Sequence, residues 1–220
     1  MKTHKKPNVG KEYPIVSPAE TDEFTGDGLG LQWQWNANPE IVWHTKLPGN
    51  DYLRLFAIKS PVGAENLWMV PNLLLQKFPA PEFTVTTKMK FFPEKATTGK
   101  RAGLIIMGMD YATIDITKDK DGFIVRQTQV LNAIDGLEEL TIAEERINSN
   151  EVLFRVEVQA PDAMCHFSFS ENGKEYTKIG KPFKAELGKW IGAKIGLFCV
   201  SSSEVKRGGY ADVEYFRVSK

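Results

Sequence analysis

A period of two constrains this chain more than any other feature. In Phe83–Phe91 (FTVTTKMKF), Phe83, Val85, Met89 and Phe91 fall on one side, and Thr84, Thr86, Lys88 and Lys90 on the other. Val152–Gln159 repeats the pattern, with Val152, Phe154, Val156 and Val158 against Arg155, Glu157 and Gln159. Such segments separate apolar from polar side chains only as strands with one wet face. Further strands are expected at Leu31–Trp35, Ile41–Thr45, Tyr52–Ile58, Gly103–Met109, Phe123–Val130, Cys165–Ser170, Ile191–Val200 and Tyr210–Val218. Turn residues separate them, and Asn172-Gly173 is the strongest hairpin signal. No window of 12 residues or more combines helical periodicity with caps. The expected fold is all-β, a two-sheet antiparallel β-sandwich.

Residues 1–20 read differently. They hold four lysines, Pro7, Pro14 and Pro18, and no hydrophobic period, so they are expected to form an extended linker ahead of a sandwich over 21–220. The chain of 220 residues carries 28 basic and 28 acidic side chains. The linker accounts for four basic and two acidic residues, so the sandwich is slightly acidic. That balance argues against nucleic acid as a partner. The longest apolar run, Ala102–Met109, is far too short for a membrane helix. The basic start MKTHKKPNVGK lacks the apolar stretch of a signal peptide, so the chain as written reads as cytoplasmic and leaves a parent protein's compartment open. Cys165 and Cys199 read as buried thiols, and His4, His44 and His166 show no metal-type spacing with them.

Sandwich domains often serve carbohydrates. Glycoside hydrolysis needs two carboxylates about 5 to 10 Å apart, and the Glu-x-Asp-x-x-Glu pattern of sandwich-type glucanases is missing. Asp212-Val213-Glu214 is the nearest relic. No Gly-x-Ser-x-Gly or Cys–His nucleophile stands out, and Gly26–Gly30 reads as a turn. Aromatic content is more informative. Trp33, Trp35, Trp43, Trp68 and Trp190 offer planes for the C–H face of a sugar ring, and Gln32, Gln34, Asn36, Arg101, Arg126 and Gln127 are suited to its hydroxyls. Strand parity places Trp33 and Trp35 on one face, expected to be core, and Gln34 and Asn36 on the other. Both faces of Phe123–Val130 mix apolar and hydrogen-bonding groups, as suits either a groove-lining strand or a strand near a sheet edge. Asp22 and Glu23 open the sandwich while Asp212 and Glu214 lie near its end, so Asp22 and Asp212 are candidate ligands for a structural calcium ion.

Several strings then point to a family. Asp22-Glu23-Phe24, Leu29-Gly30-Leu31-Gln32-Trp33-Gln34-Trp35-Asn36, Pro48-Gly49 before Tyr52-Leu53-Arg54-Leu55, Arg101-Ala102-Gly103-Leu104, Asp110-Tyr111-Ala112, Trp190–Phe198 and Gly208–Arg217 occur in that order. Together they resemble the C-terminal concanavalin A-like domain of glycoside hydrolase family 43 β-xylosidases. Lys5–Lys11 is similar to the junction that follows the catalytic propeller in those enzymes. The resemblance implies a concanavalin A-like jelly roll of two curved sheets. It also implies a five-bladed propeller as partner, xylan or xylo-oligosaccharides as ligand, and calcium as a frequent structural ion. The family's catalytic residues lie in the propeller, and none is carried over. Ile114–Gly122 and Asp135–Arg146 match the family poorly.

The expected function is therefore a non-catalytic, carbohydrate-associated module of a xylan-degrading hydrolase of the β-xylosidase or α-L-arabinofuranosidase type, binding xylo-oligosaccharide or shaping the substrate pocket of a partner propeller domain. Its expected sugar contacts are Gln34, Asn36, Trp68, Arg101, Tyr111 and Gln127. Two alternatives stand beside it. One is a self-contained sandwich-type hydrolase using acids such as Asp110, Asp115, Asp212 or Glu214. The other is a purely structural interaction domain with an exposed apolar face.

Overall fold

The computed structural model describes residues 8–14, 18–94, 99–202 and 208–220. Two eight-stranded sheets face each other. The front sheet runs, edge to edge, Gln34–Trp35, Leu74–Lys77, Lys194–Ser201, Lys100–Met107, Tyr111–Asp119, Gly122–Val130 and Leu140–Ile147. Ile58–Lys59 adds the only parallel pairing among the described strands, on Lys194–Ser201. The back sheet runs Thr177–Lys178, Met164–Ser170, Glu151–Gln159, Phe83–Pro93, Gly209–Ser219, Leu53–Phe56 and His44–Thr45, with Phe183–Lys184 also paired to Met164–Ser170.

The alternation does what period two requires. Phe83, Val85, Met89, Phe91, Val152, Phe154, Val156 and Val158 are all buried between the sheets. Outside the back sheet, Lys88 pairs with Glu214 at 2.8 Å and Arg54 with Asp212 at 2.7 Å. Trp33 joins the core, as parity predicts, and stacks edge-on against Phe216 at 4.9 Å. The Asn172-Gly173 hairpin is present, with Ser168 opposite Lys178 and Gly173 at φ 74°. Its loop is longer than the tight two-residue turn that Asn-Gly signals.

The segment Ile41–Thr45 differs from the expected strand. Ile41–Trp43 form one 3-10 turn, and only His44–Thr45 pair. Trp43 is buried while Ile41 and Val42 are exposed, a one-sided burial that a turn permits. Of the expected linker, residues 1–7 and 15–17 lie outside the described residues, and 8–14 are exposed. Glu20 is already part of the sandwich, since its carbonyl accepts a bond from Gln76 Nε2 at 3.1 Å.

The front sheet has no simple wet face. A second apolar cluster lies on its outer side, made of Leu75, Ile105, Met107, Tyr111, Val130, Phe198 and Val200 from strands, and Leu67, Val70, Leu73 and Ala133 from the connections laid across them. This cover explains why Ala102–Met107 is apolar at every position except Gly103. Both sides of the sheet are buried, so alternation gives way to a continuous run.

Candidate functional site

The outer face of the front sheet carries charge beneath its cover. On Tyr111–Asp119 the inward residues are Ala112, Ile114 and Ile116. Parity turns Tyr111, Thr113 and Asp115 outward. Asp115 sits opposite Arg126 on one neighbouring strand and Gly103 on the other. Its carboxylate is 0% exposed. Oδ1 accepts from Arg126 Nε and Nη2, both at 3.1 Å, while Oδ2 accepts from Thr113 Oγ1 at 2.9 Å and Arg101 Nη1 at 3.3 Å. Arg101 also grips Glu139, at 2.6 and 2.7 Å. Tyr111 donates to Glu139 at 2.8 Å and accepts from the Leu67 amide at 3.0 Å. Two arginines and two carboxylates thus cancel and tie the covering segment to the sheet.

Burial disfavours the charge on Arg101, but the Asp115 and Glu139 carboxylates outweigh it and raise its pKa. Burial raises Tyr111 as well, and Glu139 beside it adds to the rise. At Glu139 burial pushes upward, yet the Arg101 charge and the bonds from Arg101 and Tyr111 leave the carboxyl lowered. A general acid for glycoside cleavage needs a raised carboxyl pKa, so Glu139 is tuned the other way. The acids of the self-contained hydrolase reading are each held by a partner. Asp115 is in the network, Asp110 accepts from the Asn132 amide at 2.6 Å, Asp212 is forked by Arg54, and Glu214 meets Lys88.

Two clefts open on this face. A polar one of about 500 Å³ is bordered by Lys59, Ser60, Asn66, Arg101, Arg126 and Glu139. The other, about 310 Å³, lies between Trp68 and Trp190, with Asn36, Met107, Lys189 and Lys194 around it. Trp68 is fixed by its Nε1 bond to the Gly108 carbonyl at 3.0 Å. Trp190 is 88% exposed.

The expected sugar contacts are therefore dispersed. Asn36 and Trp68 come together at the tryptophan cleft, although the Asn36 amide spends its donors on the Trp68 and Val70 carbonyls. Gln34 pairs with Leu75 at the sheet edge. Arg101 and Tyr111 meet in the buried network. Gln127 turns inward, is 0% exposed, and clamps the Lys181 backbone through its amide oxygen and nitrogen, both at 2.7 Å. Trp190, Arg126 and Glu139 were not among those six. The loop Gly188-Lys189-Trp190-Ile191-Gly192, a tryptophan between glycines, is the signal that could have marked the first.

Asp22 and Asp212 are served by nitrogen donors. Asp22 pairs with Phe216 through the backbone, so the two ends of the sandwich do meet. Its carboxylate accepts from Trp33 Nε1 at 2.8 Å and from the Phe24 amide at 2.9 Å, and both Asp212 oxygens face Arg54. Among the described residues, no group of three His, Cys, Asp or Glu side chains is placed to hold a metal ion. In this structure the two carboxylates accept from N–H donors, neutral ones at Asp22 and the Arg54 guanidinium at Asp212.

The family profile described as "Beta xylosidase C-terminal Concanavalin A-like domain" matches residues 21–219. A β-xylosidase of Formosa agariphila is 29% identical over 235 aligned positions, covering 98% of this chain and 37% of that protein. A putative β-xylosidase of Xylanibacter ruminicola is 27% identical over 177 positions, covering 80% and 30%. A solved bifunctional GH43-CE protein of Bacteroides eggerthii superposes with a TM-score of 0.78 at 25% identity, covering 90% of this chain and 25% of that one. The chain spans about a third of the length of the curated relatives it matches.

Proposed function

The chain belongs to the family of β-xylosidase C-terminal concanavalin A-like domains, and from that membership we propose that it serves as the accessory sandwich of a xylan-degrading family 43 glycoside hydrolase, of the β-xylosidase or α-L-arabinofuranosidase type. In this reading it binds xylo-oligosaccharide in the cleft between Trp68 and Trp190. One observation carries it: Trp190 stands 88% exposed beside a second, anchored tryptophan. With Leu187, Ile191 and Met109 also exposed, Trp190 belongs to an apolar patch of the kind that marks a binding surface, and a sugar ring offers a matching C–H face. The cleft, about 310 Å³, lies at the small end of ligand-pocket sizes.

A second reading draws on the rim. Leu187, Ile191 and Met109 are exposed around the same loop, and the Met109 amide bonds the Leu187 carbonyl at 3.0 Å. Such a rim suits contact with a catalytic propeller whose pocket this loop would border. The two readings differ in what the isolated chain does.

Xylohexaose titrated into the chain, followed by calorimetry and tryptophan fluorescence, tests them. Saturable binding near millimolar is expected, equivalent to about −4 kcal/mol. Trp190→Ala should weaken it by about 2 kcal/mol, roughly 30-fold, without moving Tm. No heat and no fluorescence change would remove direct binding and leave the propeller contact.

Calcium remains a proposal of the same kind. To bind at Asp22 and Asp212 it would have to displace the nitrogen donors now on both carboxylates, so a loaded form would be rearranged locally. A ligand that favours the folded state raises Tm. The proposal therefore expects calcium to raise Tm and a chelator to reverse it; melting curves that superimpose in calcium and in chelator reject it.

A further inference from the structure

The polar cleft is built differently from the tryptophan cleft. The segment 60–70 borders both: Ser60 to Leu67 line the polar one, and Trp68 lines the other. Among the described residues, no aromatic side chain lines the polar cleft. Its floor is the ion-pair network, which leaves specific groups unspent. Arg126 uses Nε and Nη2 on Asp115, and among the described residues its Nη1 makes no hydrogen bond. The Arg126 side chain is 22% exposed and lines the cleft. Glu139, oriented by Arg101 and Tyr111, brings an acceptor to the same cleft. Donor and acceptor both sit on groups whose positions are already fixed.

Charge selects the ligand class. Lys59, Arg101 and Arg126 are offset by Glu65 and Glu139 in the lining and by Asp115 beneath it. Among the described residues the lining and its floor balance in charge, which does not favour an anion, and an anion would meet Glu139 directly. A hydroxyl both donates and accepts, so adjacent ring hydroxyls can satisfy a guanidinium and a carboxylate held side by side. We propose that this cleft is a second saccharide subsite for an uncharged sugar, with Arg126 as hydroxyl-facing donor and Glu139 as acceptor. It rests on the carbohydrate-binding reading of the module, yet not on the tryptophans. The tryptophan cleft would respond to the face of a ring, and this one to its hydroxyl pattern.

Amide and indole NMR of the whole chain separates the two sites. Xylotriose is the probe, and glucuronate is the charged control. In Trp190→Ala, saturable shifts at Ser60, Asn66 and the Arg126 side chain are expected to persist. Ala64→Phe narrows the mouth without touching an ion pair, and should weaken those shifts at least about tenfold while the Trp190 indole still responds. Ser60 shifts that vanish with Trp190→Ala, or survive Ala64→Phe unchanged, overturn the second site. A silent Trp190 indole with responsive Ser60 would overturn the tryptophan cleft and leave this one standing. Silence at both overturns both. Glucuronate shifts as large as those of xylotriose overturn the uncharged ligand class.

Discussion

Asp115→Ala is expected to destabilise the sandwich by about 3–5 kcal/mol. The carboxylate has no exposed surface and accepts four hydrogen bonds, three of them from guanidinium groups. Its removal takes from Arg126 the one carboxylate it hydrogen-bonds among the described residues and leaves Arg101 with Glu139. Two guanidinium groups then face each other across the place the carboxylate held, Arg101 nearly buried and Arg126 partly exposed to the cleft. For a domain of this size each kcal/mol lowers Tm by roughly 2–4 °C, so a fall of about 6–20 °C is expected in a circular-dichroism melt. Asp115→Asn keeps an acceptor for Thr113 and one arginine and should fall between the two. The substitution also tests what the network is for. If Asp115→Ala melted with the parent chain, the arginines would have to be solvated, and the cleft above them would lose the fixed floor on which the second subsite depends.

The fold was legible where one face of a strand is wet. Phe83–Phe91 and Val152–Gln159 alternate because the back sheet meets solvent, and every inward residue read from them is buried. The front sheet was harder because its outer face is covered. Ile105, Met107, Phe198 and Val200 pack beneath Leu67 and Val70, so their strands lose the period that marks orientation. Leu140–Ile147 was missed for another reason: its register shifts between Thr141 and Ala143, which breaks alternation at its start. The candidate site was legible as a set of residue types but not as a place. Arg101 and Tyr111 are of a type suited to sugar contacts, yet Glu139, well separated along the chain, and for Arg101 also Asp115 on the adjacent strand, decide where their polar atoms point. Gln127 shares its strand face with Val125, and the mixture of residues on Phe123–Val130 left open which face lies inside. Asp22 was expected near the end of the chain and is there, bridged to Phe216. Trp33 and Arg54 then decide what its carboxylate and that of Asp212 do. The segment that leads into the Trp190 loop lies on Gly108, a tertiary fact with no local period: a Cβ on Gly108 would stand 2.0 Å from the Glu186 carbonyl oxygen.

The same close packing makes Gly196→Val the second severe substitution, expected to cost about 3 kcal/mol. Gly196 lies between Leu75 and Ile105 on neighbouring strands. A Cβ added there would meet the Leu74 carbonyl oxygen at 2.0 Å and the Leu75 Cα at 2.7 Å. These are backbone atoms of a paired strand and cannot swing aside, so the strand itself must move. Leu74–Lys77 has four residues and holds only Gln34–Trp35 beyond it, making it the part of the sheet with least to resist displacement. Lys194, at the start of the Gly196 strand, borders the tryptophan cleft. Gly196→Val is therefore expected to lower Tm and also to weaken the xylohexaose response at temperatures where the chain remains folded. Trp190→Ala should do only the second. Melting curves and sugar titrations of the two variants distinguish a cleft that depends on sheet geometry from one that depends on a single ring. A Gly196→Val chain that melts and binds like the parent would mean the strands hold slack that their close approach denies, and the cleft would then owe its shape to the 188–192 loop alone.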